Sequence, residues 1–485
     1  MMNRKNFWLG FVASLAFVVI GCGDSNGGSA PPNGTSVLLR AVHASPDAPT
    51  VDIYANDGAE PLAENVAYGE VTGYLDIPEG EYNIQLRAAG SSPADPPAYE
   101  TGNLALNDGD VITAIATGFL SSTEDADKFR ILPLFEDFDD AASGSARVRI
   151  VHASPDAPTV AIDVGNDGSP EIEALARFED TGVAGVELPS GSALQVGIWA
   201  GMPLARVTAF TTPELPDGGE LFVIALGSVN SLPRQDTGFS LLAVAANPGG
   251  AIGLIRQNPT VHALHGGPDA PAVDIFAGDA ELVDNLAFGG LSDGIQVPPG
   301  VYTLDFFATS DGSDRPMGDP VASFDTPNLS GGERYLAIAT GFLTPDAQGE
   351  QPFTLIAFAD AFELDDVDNA RLTAIHASPD APPVDIGTVD SMGMIDAVVF
   401  ENLVYPMGKP DAGASVPPAS LTLGVAPTGD MNPVATFDVT TVAELRAFAV
   451  AIGALSPDDG EEAFQLALVD TSVSPWTVAQ VNPNP

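Results

Sequence analysis

Histidine and aspartate stand within five residues of one another at four places in this chain, three times with a serine between them. Three copies read His-Ala-Ser-Pro-Asp-Ala-Pro, starting at His43, His152 and His376, and the fourth reads His265-Gly266-Gly267-Pro268-Asp269-Ala270-Pro271. Two chemistries use such groups. A serine beside an imidazole and a carboxylate suits nucleophilic hydrolysis. Imidazole with carboxylates suits a metal, here His43, Asp47 and Asp52, with Asp274 and Asp385 as the later counterparts of Asp52. The copies argue against both. Gly267 stands where the serine is needed, and Ala161 stands where the second repeat needs its third carboxylate. No nucleophile elbow, phosphate loop or zinc-ligand spacing appears elsewhere.

A third reading is architectural, and it is the one favoured. The residues two and four before each histidine are apolar (Ala41/Leu39, Ile150/Val148, Ala263/Val261, Ala374/Leu372), while Arg40, Arg149, His262 and Thr373 lie three before it. Alternation along a strand puts the histidine on the apolar face and the latter four towards water. A buried imidazole needs partners. The nearest is the aspartate four residues on, past a proline-set turn, which couples His43 with Asp47, His152 with Asp156, His265 with Asp269 and His376 with Asp380.

The histidines are 109, 113 and 111 residues apart, the length of one small domain each. Within a repeat, the strand after the second proline (51–54, 160–163, 273–276, 384–387) is followed by turns such as Asn56-Asp57-Gly58 and Pro78-Glu79-Gly80. A nearly continuous apolar run comes later (111–117, 221–226, 335–340, 448–452), as expected of a central strand covered on both faces. Seven or so short strands with almost no helical periodicity predict an all-β chain of four tandem antiparallel β-sandwich domains, immunoglobulin-like in build. The expected boundaries are 37–140, 146–246, 257–365 and 369–472, with a C-terminal tail at 473–485.

The run around His43 resembles the hallmark of a catalogued bacterial cell-envelope domain of unknown function, number 4397, carried by Val-His-Ala-Ser-Pro-Asp-Ala-Pro-Thr-Val-Asp-Ile-Tyr at 42–54. The resemblance implies tandem sandwich modules in an envelope setting, and transfers no catalytic residue. At the N-terminus, Arg4 and Lys5 precede an apolar run at 7–20 that is short for a membrane span, followed by Gly21-Cys22. This resembles a bacterial lipoprotein signal. It implies a signal peptide at 1–21, acylation of Cys22, a flexible tether at 22–36 and, from Gly23, outer-membrane sorting. Cys22 is the only cysteine, so no internal disulfide forms.

A net charge of −49 excludes nucleic acid and charge-driven binding to anionic membranes, and leaves cations as partners. Acidic runs follow repeats one and three only: Glu136, Asp137, Asp139 and Asp140, then Glu363, Asp365, Asp366 and Asp368. Crowded carboxylates suit calcium, which takes six to eight oxygens, or form a solvated linker. Repeats one and three also share Ala-Thr-Gly-Phe-Leu (116–120, 339–343), which repeats two and four lack. The chain therefore reads as a duplicated pair, (one, two) and (three, four), joined by a hinge at 247–259. The expected function is non-catalytic: a structural or adhesive array, extended end to end, that contacts a glycan, a matrix polymer or another envelope protein, with Trp199 and Tyr405 as contact candidates. The alternative is a protein that binds a small ligand or a metal. No cofactor is expected beyond calcium.

Overall fold

The computed structural model describes residues 36–485 except 247–249, 311 and 346–348. The first repeat forms eight strands: β1 (Ser36–His43), β2 (Val51–Ala55), β3 (Ala63–Val66), β4 (Leu75–Pro78), β5 (Gly80–Ala88), β6 (Tyr99–Leu106), β7 (Val111–Thr117) and β8 (Arg130–Phe135). They build two sheets, in the orders β4-β1-β7-β8 and β3-β2-β5-β6. Alternation turns Leu39, Ile53, Ile84, Leu86 and Ile112 inward to make the core between them. The same two-sheet plan recurs three times. There is no helix among the described residues, and the chain is all-β.

One pairing departs from an antiparallel reading. β1 runs parallel to β7, from Leu38 opposite Val111 to His43 opposite Ala116, and each later repeat has its counterpart. A parallel neighbour needs a crossover, which here is the whole of the other sheet. β7 thus lies inside its sheet, as its unbroken apolar run requires.

The face expected to meet water does not. Arg40, Arg149, His262 and Thr373 are 0, 7, 5 and 2 % exposed. The cause is that the domains pack back to back in pairs. Val42, Ala44, Ile115 and Leu134 of the first meet Val151, Phe222, Ile224 and Val244 of the second. Leu264, Leu336 and Ile338 of the third meet Ile375, Phe448, Val450 and Ile452 of the fourth. The pairing read from the sequence is therefore real, but sheet faces meet within a pair, and the domains do not stand end to end.

The arginines on that face are paired with carboxylates. Arg40 lies 3.1 Å from Glu136, with both side chains inaccessible. It donates to Thr113 Oγ1 at 2.7 Å and to the Ala245 carbonyl of the second domain at 2.7 Å. Reciprocally, Arg149 grips Asp180 at 2.7 and 3.0 Å and donates to the Phe135 carbonyl of the first domain at 2.8 Å. The two guanidiniums lie 5.9 Å from the Phe222 ring centre. In the other pair, Arg334 is ion-paired with Asp360 and sits over Trp476, on which His262 also stacks at 4.2 Å.

Two stretches read as loose are structured. In the stretch read as a hinge, Ala251–Ile255 is a fifth strand paired to Ser240–Ala245, and Asn258 bonds to Ala209. In the stretch read as a tail, Thr477–Val481 pairs with Gln465–Asp470, and Trp476 is buried. Each covers the same sheet edge, in the second member of its pair.

Glu136→Gln leaves the Arg40 charge buried without a counter-charge. Breaking one side of a buried pair costs about 3–5 kcal/mol. Urea unfolding of the full chain should show the transition containing the first domain moved to lower urea, and an unmoved midpoint would show that the pair does not hold it.

Candidate functional site: the histidine corner

β1 delivers His43 to the end of its sheet, and Pro46 and Pro49 fix the turn that follows. The ring Nε2 lies 3.0 Å from the carbonyl of Pro49. The other corners repeat this at 2.9 Å to Pro158, 3.0 Å to Pro271 and 3.0 Å to Pro382. A carbonyl only accepts, so Nε2 carries the proton. Nδ1 is buried without a hydrogen-bond partner in all four. Aromatic rings wall in three of the imidazoles edge-on: Tyr68, Phe288 and Tyr405 at 6.1, 6.2 and 6.0 Å. Burial pushes every corner histidine's pKa below its ordinary value, against the smaller opposing pull of the proline carbonyl. Each is a neutral donor at pH 7.

The expected histidine–aspartate coupling is not what forms. Asp47 instead accepts from Leu120 N at 2.6 Å, Ser121 N at 2.9 Å and Ser121 Oγ at 2.6 Å. Burial raises its pKa, but these bonds together outweigh burial and hold the carboxyl below its usual value. Asp156 takes Ser228 Oγ, Val229 N and Asn230 Nδ2. Asp269 takes Leu343 N with Thr344 N and Oγ1, and Asp380 takes Leu455 N and Ser456 N. The aspartate thus ties the loop after β7, or its counterpart, to the corner.

The serine belongs to the same fastening. Ser45 donates to Gly118 O at 2.6 Å, Ser154 to Gly227 O at 2.6 Å and Ser378 to Gly453 O at 2.7 Å. Gly118 has φ +89°, and a Cβ there would lie 2.3 Å from the Lys128 carbonyl, so only glycine fits. The third repeat's departures have steric causes. A Cβ on Gly267 would meet the Phe353 ring at 2.8 Å, and one on Gly266 would meet Ile452 of the fourth domain at 2.8 Å.

The third carboxylates do not join the corner. Asp52 accepts from Asn65 N at 2.8 Å and Gly90 N at 2.9 Å. Asp274 accepts from Asn285 N, Thr309 Oγ1 and Ser310 N, and Asp385 from Asn402 N and Gly429 N. Asn65, Asn285 and Asn402 have φ of 55, 51 and 49°, so each aspartate pins a left-handed turn in the other sheet. In the second repeat, which has Ala161, Asp163 takes a related role: it accepts from Asp167 N, Gly168 N and Trp199 Nε1. That residue was missed because it sits two positions off the repeat's register. Trp199 and Tyr405 are half-buried, and neither is an exposed contact.

The eight junction acids are not gathered into one cage. Glu136 is paired with Arg40 and accepts the Tyr74 hydroxyl at 2.7–2.8 Å. Asp366 lies 3.0 Å from Arg371 and accepts from Ser415 and Asn369, while Glu363 accepts from Leu364 N and Asp365 N. Asp137, Asp139, Asp140, Asp365 and Asp368 are exposed. Among the described residues, the acids whose oxygens converge are Asp274, Glu281 and Asp284 in the third domain. Cys22 and the leader lie outside the described residues.

The chemistry available at the corner is therefore fastening. Among the described residues no hydrogen bond joins a corner serine to its histidine, so no base activates that hydroxyl. The family model described as "Domain of unknown function (DUF4397)" matches residues 37–163 and 259–387, more than half of the chain. The chain belongs to this family. Each DUF4397 match runs through one whole domain and into the first two strands of its partner. Across that junction Thr117 donates to the Ala153 carbonyl of the partner's corner and Thr340 to that of Ala377. These threonines are what the shared Ala-Thr-Gly-Phe-Leu of repeats one and three provides. No curated protein matches the chain. Among solved structures, the Bacillus anthracis TIE protein is similar over 86 % of this chain and 68 % of its own, at 11 % identity and a TM-score of 0.14. A superposition that loose carries no argument.

Acid should loosen these domains. The folded pKa of each corner histidine is depressed, so below about pH 6.5 the unfolded chain binds more protons than the native one. Stability is complete above that pH and falls as pH drops towards the folded values, by up to ~1.4 kcal/mol per histidine per pH unit. Urea midpoints measured from pH 7.5 to 5 should decline, and a flat profile would contradict the buried neutral imidazole.

Proposed function

We propose that this DUF4397 protein is a non-catalytic cell-envelope protein, anchored by a lipid on Cys22, whose paired sandwiches form a stiff recognition or spacer body. The observation that carries this reading is the use made of the motif. The imidazole N–H, the hydroxyl and the carboxylate are each consumed by an internal hydrogen bond, three times over with all members present and once with the serine replaced by Gly267, and the other ring nitrogen is shut away from solvent. A catalytic set would leave a donor or acceptor facing a cleft.

The remaining support comes from the sequence. The lone Cys22 follows a basic and apolar leader of the lipoprotein kind, and a polar tether separates it from β1. The charge of −49 keeps such a body soluble and repels anionic surfaces, which leaves neutral glycans, cationic polymers or other envelope proteins as partners. Back-to-back packing gives each pair a thick, bend-resistant cross-section, so what it presents is loops at fixed separation.

Metabolic labelling with radioactive palmitate tests the anchor, with protease shaving of intact cells as the second arm. The wild type should take up label and Cys22→Ala should not. Shaving should release peptides from all four domains if the body faces outward. Absence of label from the wild type would refute the lipid anchor.

A further inference from the structure

The four sandwiches are built alike, yet one is hollow. Between the sheets of the first domain lies a cavity of about 290 Å³, against about 50, 40 and 40 Å³ in the cores of the second, third and fourth. Native interiors rarely hold voids larger than a water molecule, so a space of this size in one copy of four requires a cause. What differs in the first domain is where its aromatic ring sits. In the other domains a phenylalanine faces the inner residue of the neighbouring strand: Phe210 opposite Val196, Phe324 opposite Leu304 and Phe437 opposite Leu423. Each packs on a second phenylalanine, Phe239, Phe353 or Phe464, at 5.8, 6.0 and 5.8 Å. In the first domain the β5–β6 ladder bulges between Asn83 and Gln85, so the ring that packs on the equivalent Phe129, at 4.8 Å, is Tyr99, set opposite Leu86, and the residue reaching Ile84 is Thr101, which accepts its N–H at 3.0 Å.

The cavity has an apolar lining and a way in. Leu39, Ile53, Leu86, Leu104 and Ile131 form its walls. The Thr101 hydroxyl is already spent on the Gly102 carbonyl. Of the other lining residues with polar atoms, Arg40 and His43 turn their donors to Glu136 and Pro49, and Tyr99 packs its ring on Phe129. Its mouth lies between the edge strands β6 and β8, where Ala105, Pro133 and Phe135 line it and are exposed, Phe135 by 49 %. In the second and fourth domains the edge equivalent to β8 is covered by a fifth strand; here no strand of the described residues covers it.

The geometry points to the first domain as a chamber for a single saturated acyl chain. Sheets about 10 Å apart admit one layer of chain. An apolar cavity of about 150 Å³ takes up benzene and excludes water. At about 30 Å³ per carbon, the share a water occupies in the liquid, the chamber holds roughly eight to ten carbons. The one cation in the lining, Arg40, is taken by Glu136, so the head group stays in solvent at the β6–β8 mouth and recognition is of the hydrocarbon. The inference is independent of the anchor, because it concerns the described residues of the first domain alone.

Isothermal titration of the full mature chain with decanoic acid and 1-decanol tests it, with dispersed didecanoyl phosphatidylcholine as the lipid-borne arm. The wild type should saturate at one chain per molecule, and which arm binds tells whether the chain arrives free or on a lipid. Thr101→Phe, which adds a ring opposite Ile84, should weaken binding at least tenfold with unchanged circular dichroism. Leu104→Trp fills the space from the other side and decides the matter if Thr101→Phe fails to fold. Lack of saturable uptake in every arm, or undiminished uptake by a folded filled variant, overturns the proposal.

Discussion

A sheet whose two faces are both apolar cannot stand in water alone, and this constraint organises the molecule. The parallel pair of β1 and β7, with its three counterparts, sits at the centre of each such sheet. One face closes the sandwich core, and the other closes against a sister domain through Phe222, Ile224 and Val244, or through Phe448, Val450 and Ile452. At about 25 cal/mol per Å² of apolar surface removed from water, faces of this kind dominate any polar contact between the domains. The buried arginines are then matched because burial demands it. Arg40 and Arg149 each carry a carboxylate from their own domain and a carbonyl from the other, which satisfies the charge and sets the register of one domain on its neighbour.

The corner is the second organising device, and it works by connecting three strands through one short turn. The imidazole holds the chain where it turns from β1 into β2, the serine holds the turn to the glycine after β7, and the aspartate holds the loop beyond that glycine. These bonds link residues about 70 positions apart in sequence, since Ser45 meets Gly118 and Asp47 meets Ser121. A corner with few apolar atoms is thereby rigid, and every member has an obligatory partner. This accounts for a motif that looks catalytic by composition while serving the fold.

Variation among the copies marks where each differs in surroundings. Gly266 and Gly267 yield space to Ile452 and Phe353. Thr117 and Thr340 reach across to a partner's carbonyl where the second members carry Leu226 and Ile452 instead. Tyr99 stands opposite Leu86, one inner position away from where the sister domains set their phenylalanine, and that domain holds a cavity. Identical sandwiches would need none of these differences. They follow from each domain having one specific neighbour or, in the first domain's case, an unfilled core.

Much of this was legible in the chain itself. The fixed spacing of the histidines, the alternation before them and the turn residues after them defined four all-β units, and the shared Ala-Thr-Gly-Phe-Leu revealed the pairs. Periodicity reports which side of a strand is apolar, and it did so for Leu39 and Ala41. It does not report what lies against the other side, so Arg40 read as wet although it is 0 % exposed. Nor does adjacency in sequence reveal hydrogen bonds. Asp47 stood nearest to His43, yet the ring chose the Pro49 carbonyl and the carboxylate chose Ser121, because the parallel strand brings that loop alongside. The residue types and their repetition determined the units. Which groups meet was decided only in three dimensions, because burial and strand pairing join atoms that sequence distance separates.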